Sequence, residues 1–177
     1  MMFKGTGTAL VTPFTEKGTD LESYGRFIDW QIENKVEFLV VLGTTGESPT
    51  VTGAERDDLI RFAVKHVNKR VPVVVGTGGN NTAHAIESSR KAEELGADGV
   101  LVVTPYYNKP SQEGLFQHFR SIAQSISLPI IMYNVPGRTG VNLLPETVVR
   151  LSEVKNITAV KEASGNQAQV DETIRLL

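Results

Sequence analysis

The feature that most constrains this chain is a phrase repeated along it. A short, nearly continuous apolar run stops at a cluster of Gly, Thr, Pro or Asn, and a longer segment follows whose apolar residues recur at helical spacing. The runs occupy residues 7–11 (GTALV), 38–42 (FLVVL), 71–75 (VPVVV), 99–103 (GVLVV), 129–133 (PIIMY) and 157–161 (ITAVK). Their middle positions are hardly polar, and a strand without polar alternation is buried on both faces, the condition of a parallel sheet covered by helices. Helical spacing marks residues 21–34, 52–69, 82–95, 112–125 and 145–153, with a further helix from about 166. The first carries Tyr24, Phe27, Ile28 and Ile32 on one side, and the second carries Leu59, Ile60, Ala63, Val64 and Val67. Thr52 and Glu55 fit a capping box, Asn80-Asn81 and Ser111 precede the next two helices, and Pro145 stands at a first-turn position. Six successive βα units define an α/β chain and exclude a helical bundle or a sandwich.

Two parallel architectures satisfy that pattern. A doubly wound sheet wants a phosphate-binding loop, and Gly76-Thr77-Gly78-Gly79-Asn80 is the one candidate. It lacks the full dinucleotide pattern, and glycines there serve equally to relieve crowding in a tight loop. A (β/α)8 TIM barrel explains more, because its active site lies at the carboxyl ends of the strands. The unusual polar residues gather at those ends: Thr12, Thr44, Thr45, Asn80, Tyr106, Tyr107, Tyr133, Asn134 and Lys161.

Composition narrows the function. Lys plus Arg number 18 against 20 Asp plus Glu, for a net charge of -2, and the cations are scattered, so no nucleic-acid partner is expected. The absence of cysteine excludes disulfides and thiol chemistry and makes the cytoplasm the natural location. His66, His84 and His118 lack ligand spacing, so no metal site is expected. The opening MMFKGTGTALVTPF has neither a basic leader nor a long apolar run, so neither a signal peptide nor a membrane association is expected.

Lys161 is the strongest chemical candidate. It ends an apolar strand, where partial burial lowers an amine's pKa and frees it to form an imine with a keto group. The ordinary roles for such a residue are a lysine whose head snorkels to solvent, or one paired with Glu162. Tyr133 ends the preceding strand, where its hydroxyl can shuttle protons or the ring can simply pack. Thr44 and Thr45, between Gly43 and Gly46, offer hydroxyls for a carboxylate or a proton relay, although the same segment reads equally as a plain loop. Arg138, in the proline- and glycine-broken loop 134–140, presents a planar fork suited to a carboxylate, as would any surface arginine. Together these describe an imine site that needs no cofactor, with no histidine or carboxylate pair for hydrolysis.

The motifs GTGTALVTPF (5–14), VLGTTGESPT (41–50), VVTPYYNKPSQEGL (102–115), YNVPGRTG (133–140) and VKEASG (160–165) span the chain in order. In this it resembles the dihydrodipicolinate synthase family of pyruvate-dependent class I aldolases. The resemblance implies that Lys161 forms the Schiff base with pyruvate, that Tyr133 and Thr44 relay protons, and that Thr45 binds the pyruvate carboxylate. It implies that Tyr107 completes the relay across a tight dimer contact, within a homotetramer of such dimers. It also implies that Arg138 holds the carboxylate of L-aspartate 4-semialdehyde, in a condensation and ring closure that serves lysine and diaminopimelate biosynthesis. N-acetylneuraminate lyases resemble the same barrel but tend to lack that arginine. A 2-keto-3-deoxy sugar-acid or hydroxyoxoglutarate aldolase stands next in likeness, and a barrel fragment could also be inactive or a non-enzymatic scaffold.

The likeness departs at the feedback site, where related enzymes use histidines and a glutamate. Gly53, Arg56 and His84 stand there instead, with Ser48, Asn80 and Tyr106 compatible, so inhibition by lysine is expected to be weak or absent. A closed barrel needs eight βα units and typically about 250 residues. The expectation for residues 1–177 is therefore one partial barrel domain lacking units seven and eight, with unpaired apolar edges and little synthase activity.

Overall fold

The computed structural model describes residues 3–177, and its element order follows the repeated phrase. The strands are β1 (Gly7–Ala9), the small pair β2 (Phe14–Thr15) and β3 (Gly18–Thr19), then β4 (Phe38–Val41), β5 (Val73–Gly76), β6 (Gly99–Val103), β7 (Ile130–Asn134) and β8 (Ile157–Glu162). The helices are α1 (Leu21–Glu33), α2 (Gly53–Val67), α3 (Thr82–Glu94), α4 (Gln112–Ala123), α5 (Pro136–Thr139), α6 (Pro145–Ser152) and α7 (Gln167–Leu176). Six strands form one sheet in the order β1-β4-β5-β6-β7-β8, and the pairings β1–β4, β4–β5 and β7–β8 are parallel. Chain order preserved across the sheet, with helices between the strands, is the wall of an incomplete (β/α)8 barrel. Among the described residues no helix is long and apolar enough to cross a membrane.

The described residues fall into two compact units, one running to Gly76 with Lys91–Val100 added, the other comprising Thr77–Arg90 and Leu101–Leu177. In the first unit β1, β4 and β5 pair with Thr8 opposite Leu39 and Leu39 opposite Val73. Leu39, Val41, Val74, Val75, Ile28 and Ile60 are fully buried. Each such side chain contributes about 1.5–3 kcal/mol relative to exposure. The capping box forms as the sequence suggests. The Thr52 hydroxyl accepts from the Glu55 N–H, and Glu55 Oε2 accepts from the Thr52 N–H at 3.0 Å. The hairpin β2–β3 has no counterpart in the sequence pattern. Gly18, at φ +116°, adopts a backbone that other residues rarely reach, and it stands opposite Thr15 where the chain folds back.

In the second unit the Thr104 N–H donates to the Tyr133 carbonyl at 2.9 Å, joining the end of β6 to β7. Val102, Leu115, Phe119, Ile122, Leu143 and Leu151 fill its core. Every residue of β7 is buried, as its apolar run requires. Strand β8 departs from that expectation. Thr158, Ala159 and Lys161 are exposed, and among the described residues β7 is the strand paired with β8. A second difference lies at Pro136–Thr139, where the sequence suggests a loop and the chain folds into a single helical turn. Proline fits its first turn, and Gly140, at φ +73°, closes it by donating to the Pro136 carbonyl at 2.9 Å.

Candidate active site

Strand alternation builds the centre of the site. Tyr133 and Lys161 are register partners on β7 and β8, so their side chains leave the same face of adjacent strands. Lys161 Nζ stands 4.5 Å from the centroid of the Tyr133 ring. Tyr133 is buried and Lys161 is exposed as a residue, yet the protein around the amine removes enough water to hold its pKa below the ordinary lysine value. The ring face attracts the ammonium form and so works against that depression. The result is an amine held at a phenol, with a larger share of free base than a solvated lysine has.

One residue further along, Asn134 and Glu162 are also register partners, and by alternation they lie on the opposite face. Glu162 accepts from Asn134 Nδ2 (2.9 Å), from the Ser164 N–H (2.7 Å) and from Gln169 Nε2 (3.0 Å). Burial pushes its pKa up, but these hydrogen bonds to the ionised form outweigh burial and the net shift is downward. The ordinary pairing of Lys161 with Glu162 is thereby replaced: the carboxylate is engaged elsewhere. Sequence reasoning missed this buried amide network. The signal available was strand alternation, which sends Asn134 and Glu162 together behind the Tyr133–Lys161 pair.

Arg138 lies on the one-turn helix α5, directly beyond β7. It is exposed and, among the described residues, has no ion-pair partner. Tyr107 is 88% exposed and holds a left-handed backbone at φ +72°. Its N–H reaches the carbonyl of Thr139 at 3.4 Å, so its loop lies against the turn that carries Arg138. A tyrosine in that backbone region is costly, by about 1–3 kcal/mol, and persists where the surroundings impose it.

Thr44 and Thr45 belong to the other unit, exposed in the turn after β4. That turn is anchored from beneath. Thr12 is buried and donates to the Gly46 carbonyl at 2.7 Å, and the Gly46 N–H closes back on the Gly43 carbonyl at 3.1 Å. A Cβ on Gly76 would collide with the Leu42 carbonyl oxygen, so only glycine lets the end of β5 approach the turn's root. Arg56 donates to the Gly76 carbonyl, and desolvation lowers its pKa. Gly76 thus has a packing reason to exist, and so does Gly78, which abuts the Val103 backbone, whereas a side chain on Gly79 would meet open space.

An α/β barrel wall with a strand-end amine beside a phenol is an arrangement found in the class I aldolase superfamily. Comparison places the chain within that class. The model of the Dihydrodipicolinate synthetase family matches residues 2–177, and the chain belongs to that family. It is 58% identical over 175 residues to the 4-hydroxy-tetrahydrodipicolinate synthase of Kosmotoga olearia, covering 99% of this chain and 60% of that protein. The crystal structure of dihydrodipicolinate synthase from Thermotoga maritima matches with a TM-score of 0.97 at 52% identity, over 99% of this chain and 60% of that one. The chloride-inhibited dihydrodipicolinate synthase from Acinetobacter baumannii, complexed with pyruvate, matches with a TM-score of 0.92 at 44% identity, over 98% and 61%. The chain thus spans about 60% of the length of the curated relative.

Proposed function

We propose that the protein is a lyase that condenses pyruvate with L-aspartate 4-semialdehyde through an imine on Lys161, giving 4-hydroxy-tetrahydrodipicolinate for lysine and diaminopimelate biosynthesis. The observation that carries this reading is the Lys161 amine held 4.5 Å from the Tyr133 ring centroid with a lowered pKa. Free amine attacks the keto carbon of pyruvate, water leaves, and the protonated imine draws electrons from the neighbouring methyl so that a proton can depart. The resulting enamine attacks the aldehyde carbon of the second substrate. Ring closure by that substrate's own amine then releases Lys161. No external electron sink is needed, because the imine is the sink.

In this reading Tyr133 and Thr44 pass protons at the imine, and Thr45 binds the pyruvate carboxylate. Arg138, with its exposed and uncommitted guanidinium, receives the carboxylate of the semialdehyde. Tyr107 completes the relay from a neighbouring subunit, which its 88% exposure and imposed backbone support. The working assembly is a homotetramer of tight dimers in the cytoplasm. Pyruvate bound to the Acinetobacter baumannii relative supports the first substrate.

Borohydride reduction in the presence of pyruvate tests the reading. A stable adduct on Lys161, located by peptide mass, is the expected result. A folded sample that yields no adduct refutes it.

A further inference from the structure

Behind the Tyr133–Lys161 pair the second unit holds a closed ring of four polar side chains, Asn134, Asn142, Gln169 and Glu162, whose hydrogen bonds lead from Asn134 to Glu162, with Gln169 Nε2 also donating back to Asn142 Oδ1 at 3.2 Å. The direction is set by the backbone. The Leu143 N–H donates to Asn134 Oδ1 at 2.9 Å, which fixes which end of that amide is oxygen. Asn134 Nδ2 must then find acceptors, and it meets Asn142 Oδ1 at 2.8 Å and Glu162 Oε2 at 2.9 Å. With its oxygen so committed, Asn142 donates through Nδ2 to Gln169 Oε1 at 2.7 Å. Gln169 in turn donates through Nε2 to Glu162 Oε2 at 3.0 Å. Both branches end on position 162, where the Ser164 N–H also arrives at 2.7 Å. Three amides polarised by one backbone N–H therefore need a fourth member that only accepts, and an ionised carboxylate is that group. Asn134 is fully buried and Gln169 is buried, so a donor left facing a donor would lie where water does not repair it.

The ring ties together the ends of β7 and β8, the loop around Asn142 and the first turn of α7. Its members at 134 and 162 are register partners one residue beyond Tyr133 and Lys161. We propose that Glu162 is a positioning residue for the imine-forming amine: as the acceptor-only terminus of this ring it locks the register of β7 against β8, and so holds Lys161 Nζ over the Tyr133 ring. The inference rests on Lys161 being the reactive amine. Electrostatics alone would assign Glu162 the reverse effect, because a carboxylate near an amine favours the charged, unreactive form. Its contribution is geometric.

The two accounts differ in sign, which makes the test sharp. Glu162→Gln replaces one oxygen by an NH2, and either orientation of the new amide leaves a donor facing a donor, at Ser164 or at the Asn134–Gln169 side. A second variant, Asn134→Asp with Glu162→Gln, reverses the ring. The carboxylate introduced at position 134 accepts from the Leu143 N–H, from the amide introduced at position 162 and from a flipped Asn142, and a flipped Gln169 closes the circuit. The readout is the pH profile of Lys161 acetylation by trace acetic anhydride, measured by peptide mass against Lys155, and it needs no pyruvate. Positioning predicts that E162Q releases the amine into water and moves its midpoint upward, toward the ordinary lysine value of about 10.4. The reversed-ring double variant brings it back. A midpoint that stays put or moves downward in E162Q overturns the proposal, and so does a double variant that behaves like E162Q. Failure of wild-type borohydride trapping would refute the enzymatic reading alone, and the acetylation profile would still decide the role of Glu162.

Discussion

His118 links the packing of the second unit to pH. It lies in the middle of α4 and is 4% exposed, with Nδ1 2.9 Å from the Thr82 hydroxyl and its ring edge-on to Phe119 at 5.4 Å between centroids. Its Nε2 is buried with no partner among the described residues, so a second proton would enter a dry site. Desolvation pushes its pKa down from 6.5 to about 4. The unfolded chain takes up the proton below about 6.5, whereas the folded chain resists until about 4. Unfolding therefore binds a proton inside that window, and stability falls as pH falls, being fully present above the window. At about 1.4 kcal/mol per pH unit the full window is worth roughly 3 kcal/mol. Between pH 7 and about 4.5 the loss is about 2 kcal/mol. Urea unfolding across that range, for wild type beside His118→Asn, isolates it. Asparagine keeps a polar atom for Thr82 and has no proton to gain. The depressed carboxylates Asp20, Asp29 and Glu162 lose their stabilisation at lower pH in both proteins, and they cancel in the difference. The variant starts less stable, and its deficit should shrink by about 2 kcal/mol on acidification. A deficit that stays constant across the range, to within about 0.5 kcal/mol, would refute the argument that the imidazole is held neutral by burial.

Three further outcomes are expected. Tyr133→Phe keeps the ring beside Lys161 Nζ and removes the hydroxyl proposed to pass protons, so pyruvate trapping on Lys161 should slow by roughly 10²-fold while the urea midpoint barely moves; an unchanged trapping rate would exclude the phenol from the relay. Thr52→Ala deletes the side chain that accepts from the Glu55 N–H at the start of α2, and should cost about 1 kcal/mol in urea unfolding; a cost near zero would mean that the cap is idle. Millimolar lysine should leave synthase turnover of the full-length enzyme nearly unchanged, because Arg56 offers only donors where an ammonium needs acceptors and is already fixed on the Gly76 carbonyl; a clear inhibition curve would overturn this.

The fold was readable because its signal is redundant. Each of the six parallel strands coincides with an apolar run, and the ends of α1, α2, α3 and α4 fall within two residues of the periodic segments. The short elements were not readable, since a two-residue strand such as Phe14–Thr15 carries no period at all. The pairing of Tyr133 with Lys161 could be anticipated from strand ends alone, but the register that brings them into line includes an irregularity between Ile130 and Ile131, which no sequence pattern marks. The amide ring behind them eluded reading for a different reason. Asn142 and Gln169 lie in a loop and a helix, where polar residues are ordinarily solvated, and only the tertiary fold shows that they face inward.

The two faces of the β7–β8 strand ends answer opposite demands. In the proposed reading the face carrying Lys161 has to admit a carbonyl substrate, and Lys161 is exposed there. A strand end that is open on one face draws its order from the groups packed on the other. Order has to come from the other face, and there it does: the Ala163 N–H donates to the Asn134 carbonyl at 2.8 Å just beyond Lys161, and Glu162 gathers its three donors. The same logic extends to Arg138. Its turn is followed by a segment fastened by Gln112, which donates to the Asn142 carbonyl at 2.7 Å and accepts from the Leu144 N–H at 3.1 Å and the Thr147 hydroxyl at 2.7 Å. In the proposed reading, an uncommitted guanidinium on a fastened base would lose little backbone entropy when a carboxylate arrives, so its fork would be spent on the ligand rather than on ordering the loop.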